Sequence, residues 1–410
     1  MSPPNRLARR AAVRPSPVLI EPKAKSTDVL GWAIPAYLLL LSGGFALLRS
    51  PIATVRGNEL SIDRAAFTAV NAVTLTGFGQ TIGVDELRPP GQFCVFVLMT
   101  GGTALSLIVG GQLVTRIIGL PFSNRRIYSA AAIAVGVAML FGAASLGDTV
   151  LHGAFTGVSA LGNCGLCIGK PPGPEDLSTL IVLLPLAVAG GLGIPIWLEI
   201  IASYHKRSAI LYHGLISLSI YGGVYIVGMG LLWTQLATDK TLSSALATCS
   251  AYAIASRSAG FSLGPIDQFT RGGQWILAGL MVVGSVSGGT GGGLKGTTLF
   301  VFFRGLRRSY SEERTGRGIV LAAAWMASYL LLVFVGFVTL LELVPQMPGD
   351  RVLFLTISAA SNVGWSHDPV SIVKSGLAVL LSIMLLGRLF PILVLWWMSK
   401  SAAGSDIAVG

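Results

Sequence analysis

Seven stretches of the chain run for at least about twenty residues without Asp, Glu, Lys or Arg: 29–48, 89–115, 127–147, 177–198, 208–238, 272–294 and 318–341. An eighth, 375–399, is interrupted only by Arg388. A helix of about 20 apolar residues crosses a hydrocarbon core of about 30 Å, so each stretch predicts a membrane span. Between them lie four segments with little or no charge, 65–84, 149–169, 241–266 and 352–367, which are richer in Thr, Ser, Asn and Gly. These are either further spans, giving about twelve helices, or half-length re-entrant segments set among eight spans.

Charge separates the two arrangements. The chain has 410 residues, 52% of them hydrophobic and only 11% charged, which excludes an ordinary soluble protein. Its 29 Lys and Arg against 18 Asp and Glu leave a net charge of +11. The basic residues gather in an N-terminal tail (residues 1–27), at Arg116, Arg125 and Arg126, at Lys206-Arg207, at Arg304, Arg307, Arg308, Arg314 and Arg317, and at Lys400. Eight spans with four re-entrant segments put all of these on the cytoplasmic side, both termini included, whereas twelve spans expel two of the groups. The expectation is an all-α integral membrane protein of the cytoplasmic membrane with eight spans and four re-entrant loops. The tail reads as a solvated topology signal; lipids are the surroundings and no nucleic-acid partner is expected.

The eight-span arrangement exposes an internal repeat of span, pore helix and span, at 28–115, 127–203, 208–303 and 318–399, with a second short tail at 400–410. Each re-entrant segment ends in a similar motif: Thr74-Leu75-Thr76-Gly77, Gly162-Asn163-Cys164-Gly165, Arg257-Ser258-Ala259-Gly260 and Ser361-Asn362-Val363-Gly364. The last glycines recur at intervals of 88, 95 and 104 residues. Asp63, Asp148, Asp239 and Asp350 stand upstream, each where it can cap a short helix and leave the negative end of the helix dipole aimed at the loop. Non-helical backbone at membrane depth is tolerated where protein buries it or water bathes it. Four such loops around one axis present carbonyl oxygens able to replace the hydration shell of a monovalent cation. Thr76, Cys164, Ala259 and Val363 then pack behind the carbonyls. Arg257 is expected to contribute its carbonyl while its guanidinium points backwards into an acidic or carbonyl-rich pocket.

The stretch 284–298 is the other unusual feature, with seven glycines between Gly284 and Gly296. It is no phosphate loop, because Leu294 separates Gly293 from Lys295 and Gly296 follows the lysine. Each glycine costs a helix about 1 kcal/mol relative to alanine, so the span should break near 285–296. Arg388 lies in an apolar run, where an unpaired charge is costly, and is expected to face a pore or a polar partner. Cys164 and Cys167 form a C-x-x-C pair, but no second pair or neighbouring His completes a metal site.

The pore-loop segments 67–78, 159–166, 256–262 and 358–366, the Gly-rich stretch 284–298 and Gly387-Arg388-Leu389 together resemble the Trk/Ktr/HKT superfamily of potassium transporters over nearly the whole chain. With eight spans it looks closer to the bacterial Ktr-type membrane subunit than to the ten-span Trk type. The resemblance implies a K⁺ filter at the four motifs, with glycine at every filter position as the pattern associated with K⁺ preference. It also implies a gate made of Gly288, Gly289, Thr290, Gly291, Gly292, Gly293, Lys295 and Arg388, a homodimer, and a cytoplasmic ring of nucleotide-binding, Rossmann-type (RCK) subunits; Na⁺ enters as a coupling or activating ion, and no covalent cofactor is implied. The basic linker around Arg304–Arg317 is then a docking surface or a solvated loop. The alternative function is secondary transport coupled to Na⁺ or H⁺. It calls for a carboxylate within a span, and only Glu199 and Glu342 come near, both at span ends. An enzyme is disfavoured because the four histidines are scattered.

Overall fold

The computed structural model describes residues 29–54, 59–206, 212–236, 240–310, 317–372 and 374–402. The basic N-terminal tail, Arg207, Asp239, Arg314 and the chain beyond 402 lie outside the described residues. Among the described residues the protein is helical, with isolated bridges and no strands. In chain order the helices are α1 (Val29–Arg49), α2 (Ile62–Val73), α3 (Pro89–Ile118), α4 (Asn124–Ser145), α5 (Val150–Gly162), α6 (Leu184–Leu192), α7 (Ile194–Lys206) and α8 (Tyr212–Trp233). They continue with α9 (Leu242–Ile254), α10 (Arg271–Val282), α11 (Gly296–Tyr310), α12 (Arg317–Leu343), α13 (Gly349–Ala360) and α14 (Lys374–Ala402).

Long and short helices have opposite surroundings. Among the described residues α1, α3, α4, α8, α12 and α14 are the six long and apolar enough to cross a membrane. They turn large apolar side chains outward, such as Leu39, Leu140, Ile226 and Phe334. The four short helices α2, α5, α9 and α13 are largely buried and bring polar residues inside with them: Thr68 and Asn71, Thr156 and Ser159, Thr248, Thr356 and Ser358. Polar groups enclosed by an apolar exterior are what a hydrocarbon solvent selects, and the chain is a multi-pass membrane protein. Several of the buried hydroxyls bond within their own helix, Thr68 donating to Arg64 O and Thr356 to Val352 O.

Two expected spans differ from straight rods. Residues 177–198, read above as one continuous span, form a pair, Thr179–Leu192 and Ile194–His205, bent by 95°. Gly193 makes the corner at φ +76°, a conformation that a Cβ opposes, and Pro195 two residues later has no N–H to carry the helix through. In the third quarter the helix stops at Val282 and resumes at Gly296, so 283–295 is non-helical.

The caps also correct an expectation. Thr149 caps α5 by accepting from His152 N at 3.2 Å, and Thr241 caps α9 by accepting from Ser244 N at 3.4 Å. Asp148 stands one residue before the N-cap and does not cap α5. Asp63 and Asp350 lie in the first turns of α2 and α13, where their charge complements the dipole without a capping bond.

Candidate functional site

The four motifs follow α2, α5, α13 and, after α9, a wide turn at Ala255–Ala259. Each helix closes on an N–H that reaches five residues back: Thr76 to Asn71 O (3.0 Å), Cys164 to Ser159 O (2.9 Å), Gly260 to Ala255 O (3.1 Å) and Val363 to Ser358 O (3.0 Å). Leu75, Asn163 and Asn362 take left-handed φ values of +59°, +55° and +48°, and Gly77, Gly165, Gly260 and Gly364 follow at +81°, +85°, +67° and +82°. The chain thereby turns sharply out of each helix, a Schellman-like stop.

The glycines meet one another's loops in cyclic order. A Cβ added to Gly77 would lie 1.5 Å from Cys164 O, one on Gly165 2.4 Å from Gly260 O, one on Gly260 2.4 Å from Val363 O, and one on Gly364 2.0 Å from Thr76 O. Loop 1 thus touches loop 2, loop 2 loop 3, loop 3 loop 4, and loop 4 loop 1. Backbone oxygens crowd around one axis, where no side chain can intrude. The ring opens on one side into a cavity of about 290 Å³ that Asp85, Asp368 and His367 help to line.

Side chains behind the ring fix it. Asn71 donates to Phe78 O at 3.0 Å and accepts from Phe78 N at 2.9 Å. The Thr74 and Thr76 hydroxyls lie 2.6 Å apart, and Asn362 Nδ2 donates to Thr76 Oγ1 (3.0 Å) and Met384 O (2.9 Å). Tyr329 and Ser361 share a hydrogen bond of 2.6 Å. Thr76, Cys164 and Val363 are fully buried. The side chains of Ser258 and Ala259 lie outside the described set. Arg257 points away from the ring and donates to Tyr221 O (2.9 Å), Gly284 O (3.1 Å) and Val283 O (3.3 Å), its guanidinium 4.3 Å from the centre of the Tyr221 ring. Three carbonyls and an aromatic face stabilise that cation without a carboxylate.

Residues 283–295 lie against the helix-end side of the loops. A Cβ on Gly292 would sit 1.9 Å from Ser361 O, one on Gly289 2.0 Å from Gly191 O, and one on Gly193 2.3 Å from Gly288 O. The segment is held as a closed loop by Leu294 N donating to Val282 O (2.9 Å), Gly284 N to Leu294 O (3.0 Å) and Ser285 Oγ to Gly291 O (2.9 Å). Lys295 Nζ donates to Ser285 Oγ at 3.1 Å and to Gly291 O. Arg388, buried on α14, donates to Thr290 O and to Ser106 Oγ on α3. Beyond the segment lies a second, much smaller cavity, lined in part by Ser106, Gly288, Gly291, Lys295 and Arg388. The structure therefore brings the expected gate residues into one cluster and the expected filter residues into another directly beside it. Sequence reasoning missed Ser106, an unremarkable serine in an apolar run. It also missed the corner at Gly193, whose signal was the run Gly190-Gly191-Leu192-Gly193-Ile194-Pro195.

A ring of backbone carbonyls inside an all-helical membrane protein is an arrangement able to replace the hydration shell of a monovalent cation. The family model described as "TrkH: Cation transport protein" matches residues 245–402. The potassium/sodium uptake protein NtpJ of Enterococcus hirae is 25% identical, covering 86% of this chain and 88% of its own length. Ktr system potassium uptake protein B of Vibrio alginolyticus is 24% identical, covering 89% of this chain and 90% of its own. The crystal structure of the potassium transporter TrkH from Vibrio parahaemolyticus shares the fold, with a TM-score of 0.72 at 17% identity over 94% of this chain and 86% of that one. The chain is thus similar over most of its length to potassium uptake proteins of the Trk/Ktr type, and its last two fifths match the TrkH cation transport model.

Proposed function

We propose that this protein takes up K⁺ across the cytoplasmic membrane through a pore lined by the four glycine loops. The observation that carries this reading is the cyclic contact of Gly77, Gly165, Gly260 and Gly364 with one another's carbonyl-bearing loops, which brings backbone oxygens of all four loops together. Each quarter of the chain reads as span, pore helix and span: α1-α2-α3, α4-α5-α6/α7, α8-α9-α10/α11 and α12-α13-α14, eight spans in all if the bent and the broken pair each count once. Dehydration of K⁺ by successive carbonyls gives selectivity, the negative ends of the pore helices favour positive charge, and Asp85 and Asp368 make the outer mouth attractive to cations.

The glycine segment 283–295 serves as the gate, lying across the inner side of the filter, with Arg388 and Lys295 placing positive charge on the ion's path while it is closed. Opening is driven by a cytoplasmic ring of nucleotide-binding subunits beneath a homodimer of this chain, docked on the basic linker Arg304–Arg317, with both termini cytoplasmic; the sequence resemblance and the basic linker support this reading. Na⁺ then acts as an activating ion. Coupled transport with Na⁺ or H⁺ is the alternative. Purified protein in liposomes, assayed for K⁺, Rb⁺ and Na⁺ flux with and without imposed pH and Na⁺ gradients, separates the two. Passive uptake gives K⁺ flux that follows the K⁺ electrochemical gradient alone; flux driven uphill by either imposed gradient would establish coupling instead.

A further inference from the structure

One side chain belongs to both clusters. Thr290 is fully buried in the middle of the glycine segment, and each of its polar groups is bonded outside that segment. Its hydroxyl donates to Leu161 O, in the last turn of α5, at 2.9 Å. The same oxygen accepts from Asn163 Nδ2 at 2.6 Å. Its N–H donates to Gly190 O on α6 at 2.9 Å, and its carbonyl accepts from Arg388. Asn163 is the left-handed residue that turns the chain out of α5, and it immediately precedes Cys164, whose carbonyl faces Gly77 and Gly260.

Loops 2 and 4 make the meaning of this bond clear, because they are built alike up to one difference. Asn163 and Asn362 occupy the same position, and each donates to a carbonyl of the following helix, Ala187 O at 3.2 Å and Met384 O at 2.9 Å. The second bond from Asn362 goes to Thr76 Oγ1, inside filter loop 1. The second bond from Asn163 goes to Thr290, in the gate. One filter loop is therefore held by its neighbouring loop, and the other by a buried threonine of the glycine segment.

We infer that Thr290 is a positioning residue for ion selectivity: it holds filter loop 2 in its selective geometry through Asn163 and Leu161. The inference rests on the filter and gate reading above. Without the hydroxyl, Asn163 Nδ2 and Leu161 O lose a partner in a buried place, and the turn that aims Cys164 O is freed.

The test uses full-length protein in liposomes, with K⁺ and Na⁺ fluxes measured on the same preparations. Thr290→Val keeps the shape and removes the hydroxyl; it should lower K⁺ over Na⁺ discrimination by about fivefold or more, the scale of one buried hydrogen bond. Thr290→Ser should retain discrimination. Asn163→Leu cuts the bond from the other side, with the residue type that loop 1 accepts at Leu75, and should repeat the loss; it decides the matter if Thr290→Val fails to fold. Combining Thr290→Val with Asn163→Leu should lose no more than either alone. Wild-type discrimination in Thr290→Val, or a change in flux at constant discrimination, overturns the inference if Gly77→Ser lowers discrimination in the same assay. Unchanged discrimination in Gly77→Ser as well overturns the filter reading, and this inference with it.

Discussion

At the residue scale the ring depends on atoms that are missing. A side chain on Gly77 has no room, since even a methyl would overlap the Cys164 carbonyl. Gly77→Ser should therefore displace one carbonyl and reduce K⁺ over Na⁺ discrimination by about tenfold, equivalent to about 1.4 kcal/mol of differential binding; the ratio of fluxes in liposomes reads it directly. Asn71 does for loop 1 what Thr290 and Asn163 do for loop 2. Asn71→Ala leaves both the N–H and the carbonyl of Phe78 without their partner, and should cost about 1–3 kcal/mol, seen as a lower thermal midpoint in detergent. The glycines were legible in the sequence because they recur, and so was Arg388, because a charge in an apolar run stands out. The bond between Thr290 and Asn163 was not. Its partners are 127 residues apart, and neither residue type is unusual where it stands.

At the element scale, stretches free of charge predicted where the long helices lie, and the change to Thr, Ser, Asn and Gly predicted the short ones. Bending was harder to read, because an apolar run has the same composition whether straight or turned by 95°. Gly193→Ala puts a Cβ on a residue at φ +76° and 2.3 Å from Gly288 O, so it strains the corner and pushes on the gate segment together. The backbone conflict alone should cost about 1–3 kcal/mol, with a lower thermal midpoint and altered basal K⁺ flux. Capping was misread for a related reason: Asp148 and Thr149 are neighbours and both are good cap residues, so only the backbone tells which one reaches the free N–H. Thr149→Ala should cost about 1 kcal/mol of thermal stability, whereas Asp148→Ala should leave the midpoint nearly unchanged. Arg388→Ala removes the donor that ties α14 to the glycine segment. Basal K⁺ flux without an activating partner should rise, and flux matching the wild type in rate and gating would remove Arg388 from the gate.

For the whole molecule, the outer loops are joined pair by pair. Asp85 accepts from Gly169 N (2.7 Å), Lys240 pairs with Glu175 (2.8 Å), and Trp365 Nε1 donates to Phe261 O (3.0 Å). Val370 N donates to Gly79 O (2.9 Å), which closes the circle. The closing joint is strengthened by Arg64 of α2, which donates to Val370 O (2.7 Å) and Ile372 O (2.8 Å). Arg64→Leu should lower the thermal midpoint more than removing Lys240 from its exposed pair, since a buried carbonyl left bare costs more than a surface ion pair contributes. None of these four joints was visible in the chain, because each depends on loops that only the assembled ring brings together.

That closing joint is a seam, and seams have an order of manufacture. Arg64 and Val370 are 306 residues apart, so the first loop is made long before the strand of chain that will complete its wall. A partly synthesised or truncated chain that ends before residue 361 holds three loops and an open side. It has no encircled axis and offers ions no continuous row of oxygens. On the proposed reading the axis is encircled, and conduction can begin, only when the last quarter has folded back onto the first.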